Sequence, residues 1–171
     1  RGLSIGALGV FPLAAGMAAL AEPFTRVVFE RGVFSPDATT LTSGILLMYM
    51  IGVPAMSWRD IAAKAFYAEG DTRTPLWTGV LSVMINIWLN LTLVGYLGAR
   101  GLALATSISS WVGAISLMFF WDLKHKDKGF PKLINSNFIW ETAKVLTATL
   151  VMFTGVQFFW SKVAEVKLGL T

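Results

Sequence analysis

Ile45-Leu46-Leu47-Met48-Tyr49-Met50-Ile51 is apolar at every position and lies inside residues 38–58, which contain no Asp, Glu, Lys or Arg. A membrane-crossing helix needs roughly 20 apolar residues to traverse a hydrocarbon core of about 30 Å, and 38–58 supplies 21. A barrel strand would alternate apolar and polar positions over about ten residues, which this stretch does not do. Four further charge-free runs flank it, at 2–21, 74–99, 101–121 and 145–161. One such run could be a buried core helix, but five in 171 residues would leave a soluble protein with little besides core. The chain is 55% hydrophobic and 14% charged, against about 25% charged in an average soluble domain, so it lacks the polar surface to enclose a globule. The fold class is therefore all-α, a polytopic transmembrane helix bundle of about five spans.

The spans read as 2–28, 38–67, 75–97, 101–121 and 138–160, joined by segments with turn chemistry. Ser35 or Asp37 is placed to cap the second span, and Pro75 suits the first turn of the third. Ala19-Leu20-Ala21 before Glu22 imitates a signal-peptidase site, but four more spans follow it. The chain opens on Arg1 rather than Met, which leads us to expect sequence upstream. Alternate connections differ in Lys and Arg. Arg1, Arg59, Lys64, Arg73, Lys124, Lys126, Lys128, Lys132 and Lys144 fall on one side, and Arg26, Arg31, Arg100, Lys162 and Lys167 on the other. The richer side is expected in the cytoplasm. The formal charge of +4 then reflects a topology signal beside anionic lipid, and no nucleic-acid partner is expected.

There is no cysteine and one histidine, His125, so neither a disulfide framework nor a Cys/His metal centre is expected. No nucleophile is paired with a base, no carboxylates pair in an apolar setting, and no glycine-rich phosphate loop occurs; the chain does not read as an enzyme. A transporter leaves other traces, namely polar groups and helix breakers at membrane depth. Pro54 follows Gly52 in the second span, and Arg59, Asp60 and Lys64 come after it. Asp60 and Lys64 have the spacing and order of an intrahelical ion pair, which leaves Arg59 without a partner. Either all three snorkel at the interface, or Arg59 and Lys64 face a cavity and bind an anionic group such as a diphosphate. In the third span Asn86 and Asn90 share one helical face, and Thr106 opens the fourth. They read either as an interhelical polar contact or as an oxygen-ligand cation site, with no carboxylate in the set. Ala105, Ser109 and Gly113, like Thr106, Ser110 and Ala114, form small-residue stripes for close packing. Trp77, Trp121, Trp140 and Trp160 fall near span ends, as interfacial aromatics do.

Three motifs occur in one order along the chain. They are Val28-Phe29-Glu30-Arg31-Gly32-Val33-Phe34 followed by Asp37; Lys64-Ala65-Phe66-Tyr67-Ala68-Glu69-Gly70-Asp71-Thr72-Arg73-Thr74-Pro75; and Asn86 and Asn90 followed by Gly98 and Gly101-Leu102-Ala103-Leu104-Ala105-Thr106-Ser107. This order resembles the MurJ/MviN family, the lipid II flippases of peptidoglycan and cell-wall biogenesis within the multidrug/oligosaccharidyl-lipid/polysaccharide exporter superfamily. The resemblance covers residues 11–124; the rest agrees in hydropathy only. It implies about fourteen helices in two lobes around a cavity, working by alternating access, of which this fragment supplies the ninth to thirteenth. Residues 1–121 would then be four spans of the second lobe, 122–137 a cytoplasmic basic loop, and 138–171 a further span and a truncated end. Implied partners are the bilayer, an undecaprenyl-diphosphate-linked substrate and the remaining helices of a longer protein. The implied location is the bacterial inner membrane, with a plastid membrane as the alternative. No cofactor is implied, but the family pairs an asparagine with an acid four residues on as a monovalent cation (Na+) site, where this chain has Asn86 and Asn90. The first lobe's cavity arginines lie outside the chain. An O-antigen, polysaccharide or multidrug exporter, or a structural membrane subunit without transport, are the competing functions.

Overall fold

The structure, a computed structural model, describes residues 2–31, 34–125 and 136–168, with side chains described for 6, 8–31, 34–125 and 139–160. Among the described residues there are six helices: α1 (Gly2–Ala19), α2 (Ala21–Phe29), α3 (Pro36–Ala68), α4 (Arg73–Leu97), α5 (Ala99–Lys124) and α6 (Ser136–Leu168). Gly32 of the first motif, the basic positions Lys126, Lys128 and Lys132, and the side chains of Lys162 and Lys167 lie outside the described residues. Helices α3, α4, α5 and the part of α6 at Ile139–Trp160 are each long and apolar enough to cross a membrane. The bent pair formed by α1 and α2 makes up to a fifth span.

The first expected span, 2–28, is not one helix. It breaks after Ala19, and the two pieces meet at 62°. Pro23 accounts for the break, because it has no N–H to donate to the Ala19 carbonyl and its ring collides with that carbonyl in a continuous helix. The freed carbonyl is not left bare: Gln157 of α6 donates to it through Nε2 at 3.3 Å.

Pro54 has no such effect on α3, which runs unbroken through it. Here the neighbouring carbonyls receive support from α5. Ser107 Oγ donates to the Met48 carbonyl at 2.6 Å, and Trp111 Nε1 donates to that of Ile51 at 3.0 Å. Close approach makes this possible, since a Cβ on Gly52 would stand 2.8 Å from Ser107 Cα. The partner numbers rise together along both chains, so α3 and α5 run parallel. By the same test α4 runs antiparallel to α5, with Gly101 against the Leu93 carbonyl and Asn86 against Ser109. The stripe Ala105, Ser109 and Gly113 lies buried in this packing. Phe11, Ala55, Trp58, Ala114, Met118 and Val145 join α1, α3, α5 and α6 in one core. Helix α4 stays outside that core, exposing Trp77, Met84, Trp88 and Leu91 along its length.

The turns follow local chemistry. Ser35 Oγ accepts from the Ala38 amide and caps α3, whereas Asp37 sits in the first turn. Helix α3 closes with Gly70 at φ +75°, the Asp71 amide bonding the Phe66 carbonyl and the Gly70 amide that of Tyr67. That is the bonding pattern in which a left-handed glycine satisfies the last carbonyls of a helix. Asp71 then starts α4, its Oδ1 accepting from the Arg73 and Thr74 amides at 3.1 Å each, while Pro75 sits buried in the first turn.

Candidate functional site

Helices α3 and α4 share the Gly70 turn but hardly touch beyond it, and α5 closes the space behind them. The result is a groove. One part, of 460 Å³, runs between Arg59 and Tyr67 on α3 and Pro75, Gly79, Val80 and Val83 on α4. The adjoining part, of 270 Å³, is bordered by Arg59, Asp60, Lys64, Tyr67 and Leu117. The groove is thus charged at the Asp60 and Lys64 end and apolar along α4.

Arg59 stands where the two parts meet. It is half-buried, and among the described residues it has no hydrogen bond or ion pair. Glycines make room for it: a Cβ on Gly79 would stand 3.1 Å from its Nη2, and one on Gly113 would stand 3.5 Å from its Cδ. The expected Asp60 to Lys64 ion pair does not form at 4 Å or less. Both side chains are exposed, and such a pair contributes only a few tenths of a kcal/mol to a helix, too little to hold two solvated chains together.

The polar set on α4 is more tightly organised. Asn86 Nδ2 donates to Thr106 Oγ1 at 3.4 Å and to Ser109 Oγ at 3.2 Å, and Asn90 Nδ2 donates to Asn86 Oδ1 at 3.0 Å. The two hydroxyls already give their protons to the carbonyls of Leu102 and Thr106. They therefore accept from Asn86, which fixes the direction of the whole relay. The relay ends on Asn90 Oδ1, which is buried without a hydrogen-bond partner. A hard cation needs several converging oxygens, whereas this arrangement turns one amide nitrogen toward the hydroxyls and leaves one oxygen free. The residues present do not fit a cation site.

The second motif forms a clamp at the other end of α5. Lys124 Nζ meets Asp71 Oδ2 at 2.6 Å and Glu69 Oε2 at 3.4 Å, and His125 Nε2 meets Glu69 Oε1 at 2.5 Å. His125 stacks on Trp121, which meets Phe66 edge-on. Lys124 also lies over the Phe66 ring. The Lys124 hydrogen bond, then those from Thr74, hold the Asp71 carboxyl far below the ordinary carboxylate range. Desolvation pushes Glu69 up, but the hydrogen bonds and charges of His125 and Lys124 outweigh it and hold that carboxyl below its ordinary value. In the first motif, Arg31 reaches the Val27 carbonyl at 3.4 Å, and Phe34 packs against Phe29.

One residue that sequence reasoning left in an outer turn, Arg100, lies in the first turn of α5. It is half-buried, rests against Gly44 and donates through Nη2 to the Thr40 carbonyl at 2.9 Å. Its signal was the short Gly98 to Gly101 connection, within which α5 starts at Ala99, two residues before the charge-free run.

A family model described as lipid II flippase MurJ matches residues 1–169. Among curated proteins, the chain is 37% identical over 124 residues to a probable lipid II flippase MurJ of Rickettsia prowazekii, covering 72% of this chain and 24% of that protein. It is 41% identical over 106 residues to the one from Rhizobium meliloti, covering 62% of this chain and 20% of the relative. The chain therefore spans between a fifth and a quarter of the length of these relatives. A solved structure, the lipid II flippase MurJ in an inward closed conformation, superposes with a TM-score of 0.71 over 97% of this chain and 38% of its own, at 23% identity. The fold agrees, the family model runs nearly end to end, and Lys64, Tyr67 and Pro75 of the second motif line the groove. The chain belongs to the lipid II flippase MurJ family.

Proposed function

We propose that this chain is part of the second lobe of a lipid-linked peptidoglycan precursor flippase of the bacterial inner membrane. In the whole protein the groove between α3 and α4 faces the translocation cavity, and Arg59, with Lys64 behind it, binds the substrate's diphosphate. The observation that carries this reading is Arg59 itself, a half-buried guanidinium with no ion pair, seated in a groove that is apolar along one wall. A diphosphate offers the paired oxygens a guanidinium fork grips best, and α4 offers hydrocarbon to the lipid part. Transport without chemical change requires nothing from the chain beyond binding and rocking against a second lobe, so no catalytic residue is assigned.

The test uses the full-length protein in lipid vesicles and measures binding of an undecaprenyl-diphosphate sugar by competition. Arg59→Ala should weaken binding about tenfold or more, since a hydrogen bond to a charged group contributes about 1.5–3 kcal/mol net. Arg59→Lys should recover part of the loss. Unchanged binding in Arg59→Ala would overturn the assignment.

We read the Asn86, Asn90 and Thr106 set as an interhelical bond rather than a cation site. Sodium dependence of transport should be the same in the parent protein and in Asn86→Ala, and should strengthen in Asn90→Asp, which adds a charged hard ligand. Loss of sodium dependence in Asn86→Ala would restore the cation reading.

A further inference from the structure

Helix α2 is too short to span anything and has three unlike faces. Ala21 and Thr25 are buried, facing α3. Glu22, Arg26 and Glu30 form a second face, Arg26 meeting Glu22 at 3.1 Å and Glu30 at 3.4 Å. Phe24, Val27 and Val28 form a third, 43%, 66% and 46% exposed.

The level of α2 is fixed by its neighbours. Arg100, two residues into α5, bonds the Thr40 carbonyl, so the α4 to α5 turn, where two spans end, stands level with Thr40. The first residues of α2 line a 310 Å³ cavity together with Thr40, Gly44, Leu47, Met48 and Arg100, and Glu30 just past its end accepts from Thr39 Oγ1 at 2.9 Å. Glu30 therefore sets the end of α2 level with the first turn of α3, where that span also ends. The 62° bend turns α2 from the direction of α1 toward the membrane plane at this depth. Trp160 borders the same cavity, an aromatic at the depth where interfacial tryptophans collect.

We propose that α2 is an interfacial anchor whose Phe24, Val27 and Val28 face sinks into the headgroup and acyl boundary of the leaflet on the Arg100 side. The charged face argues for water on that side, because the Arg26 and Glu22 side chains are 58% and 61% exposed. Protein, water and hydrocarbon are required at once by three faces of one short helix, and only the boundary of the bilayer offers the last two together. The charges cancel within the Glu22, Arg26, Glu30 and Arg31 set, so attachment rests on apolar contact and should not depend on anionic lipid.

The chain has no cysteine, so the rest of the full-length protein can be made cysteine-free and spin labels introduced singly at Phe24→Cys, Val27→Cys, Val28→Cys, Glu22→Cys and Arg26→Cys. In phosphatidylcholine vesicles, with and without phosphatidylglycerol, positions 24, 27 and 28 should be relaxed more by oxygen than by a water-soluble nickel chelate. Their depth should be about 5–10 Å below the phosphates, and positions 22 and 26 should show the reverse. Exclusion of both agents at 24 and 27 would mean that another part of the protein covers the face. A preference for the nickel chelate there would mean that it stands in water. Either result overturns the proposal. The unmodified protein gives a second reading: a photoactivatable lipid with its reactive group near the headgroup should label the α2 peptide, and labelling of the span ends without α2 would overturn it as well.

Discussion

Arg59 and Arg100 look alike in sequence, each an arginine at the edge of an apolar run, yet their surroundings give them opposite tasks. Arg100 has its guanidinium on the Thr40 carbonyl and against Gly44, so Arg100→Ala removes a helix-to-helix bond and leaves a notch. It should lower stability by about 1–2 kcal/mol, read as a drop in Tm of the detergent-solubilised full-length protein, while substrate binding at constant folded fraction stays near the parent's. Arg59→Ala should do the converse, with little change in Tm and a large loss of binding. Asp71 carries a third outcome. Its carboxyl is depressed by Lys124 and Thr74, so its contribution is fully present above the pKa of the unfolded carboxyl and is lost as pH falls toward the folded one. Asp71→Asn keeps an acceptor for the α4 amides but loses the ion pair with Lys124. It should melt lower at pH 7 and lose less Tm than the parent between about pH 5 and 3. A clamp of this kind explains why Asp71, Thr74 and Pro75 occur together; the resemblance pointed to these positions without saying what they touch.

Between helices, the contact of α3 with α5 is set by what is missing from Gly52. A Cβ there would stand 2.7 Å from Ser107 Oγ and 2.8 Å from Ser107 Cα, so Gly52→Val must push two parallel helices apart and strain the Ser107 and Trp111 bonds. Overpacking of this sort costs about 1–3 kcal/mol, and a lower Tm together with faster proteolysis within α3 should report it. Much of this layer was legible beforehand. Charge-free runs located α3 to α6 because crossing a bilayer demands length and apolarity, and both are written residue by residue. The Ala105, Ser109 and Gly113 stripe announced close packing on α5. Direction is not written that way, so hydropathy carried the first span straight through Pro23, although that proline, following Ala19-Leu20-Ala21, was the mark of the bend. Nor could sequence show that Arg100, Ser107 and Trp111 all donate to α3, because their acceptors are backbone carbonyls, which every residue has. The Asp60 and Lys64 spacing promised more than it gave, since a spacing permits an ion pair without making it outcompete water.

At the scale of the whole molecule, the proposed function makes the exposed length of α4 and the open groove beside it half of an arrangement. Rocking between two states needs a second bundle against which this one turns, with the substrate held at their boundary. Nothing among the described residues plays that part: α6 packs on α1, and α5 fills the back of the groove between α3 and α4. Residues 1–171 expressed alone should therefore insert into the membrane yet fail to move substrate, whereas the longer protein to which they correspond should succeed. The measurement is rescue of a bacterium depleted of its own flippase, with membrane levels of both forms checked by immunoblot. The complete gene should restore growth and cell shape, its Arg59→Ala variant should restore them poorly, and the fragment should not restore them at any level of expression. Rescue by the fragment would show that a site held by Arg59 on one face suffices without a second lobe. Failure of the complete, well-expressed protein, with the substrate-binding measurement still positive, would instead separate binding from transport and point to a different cargo of the same diphosphate chemistry.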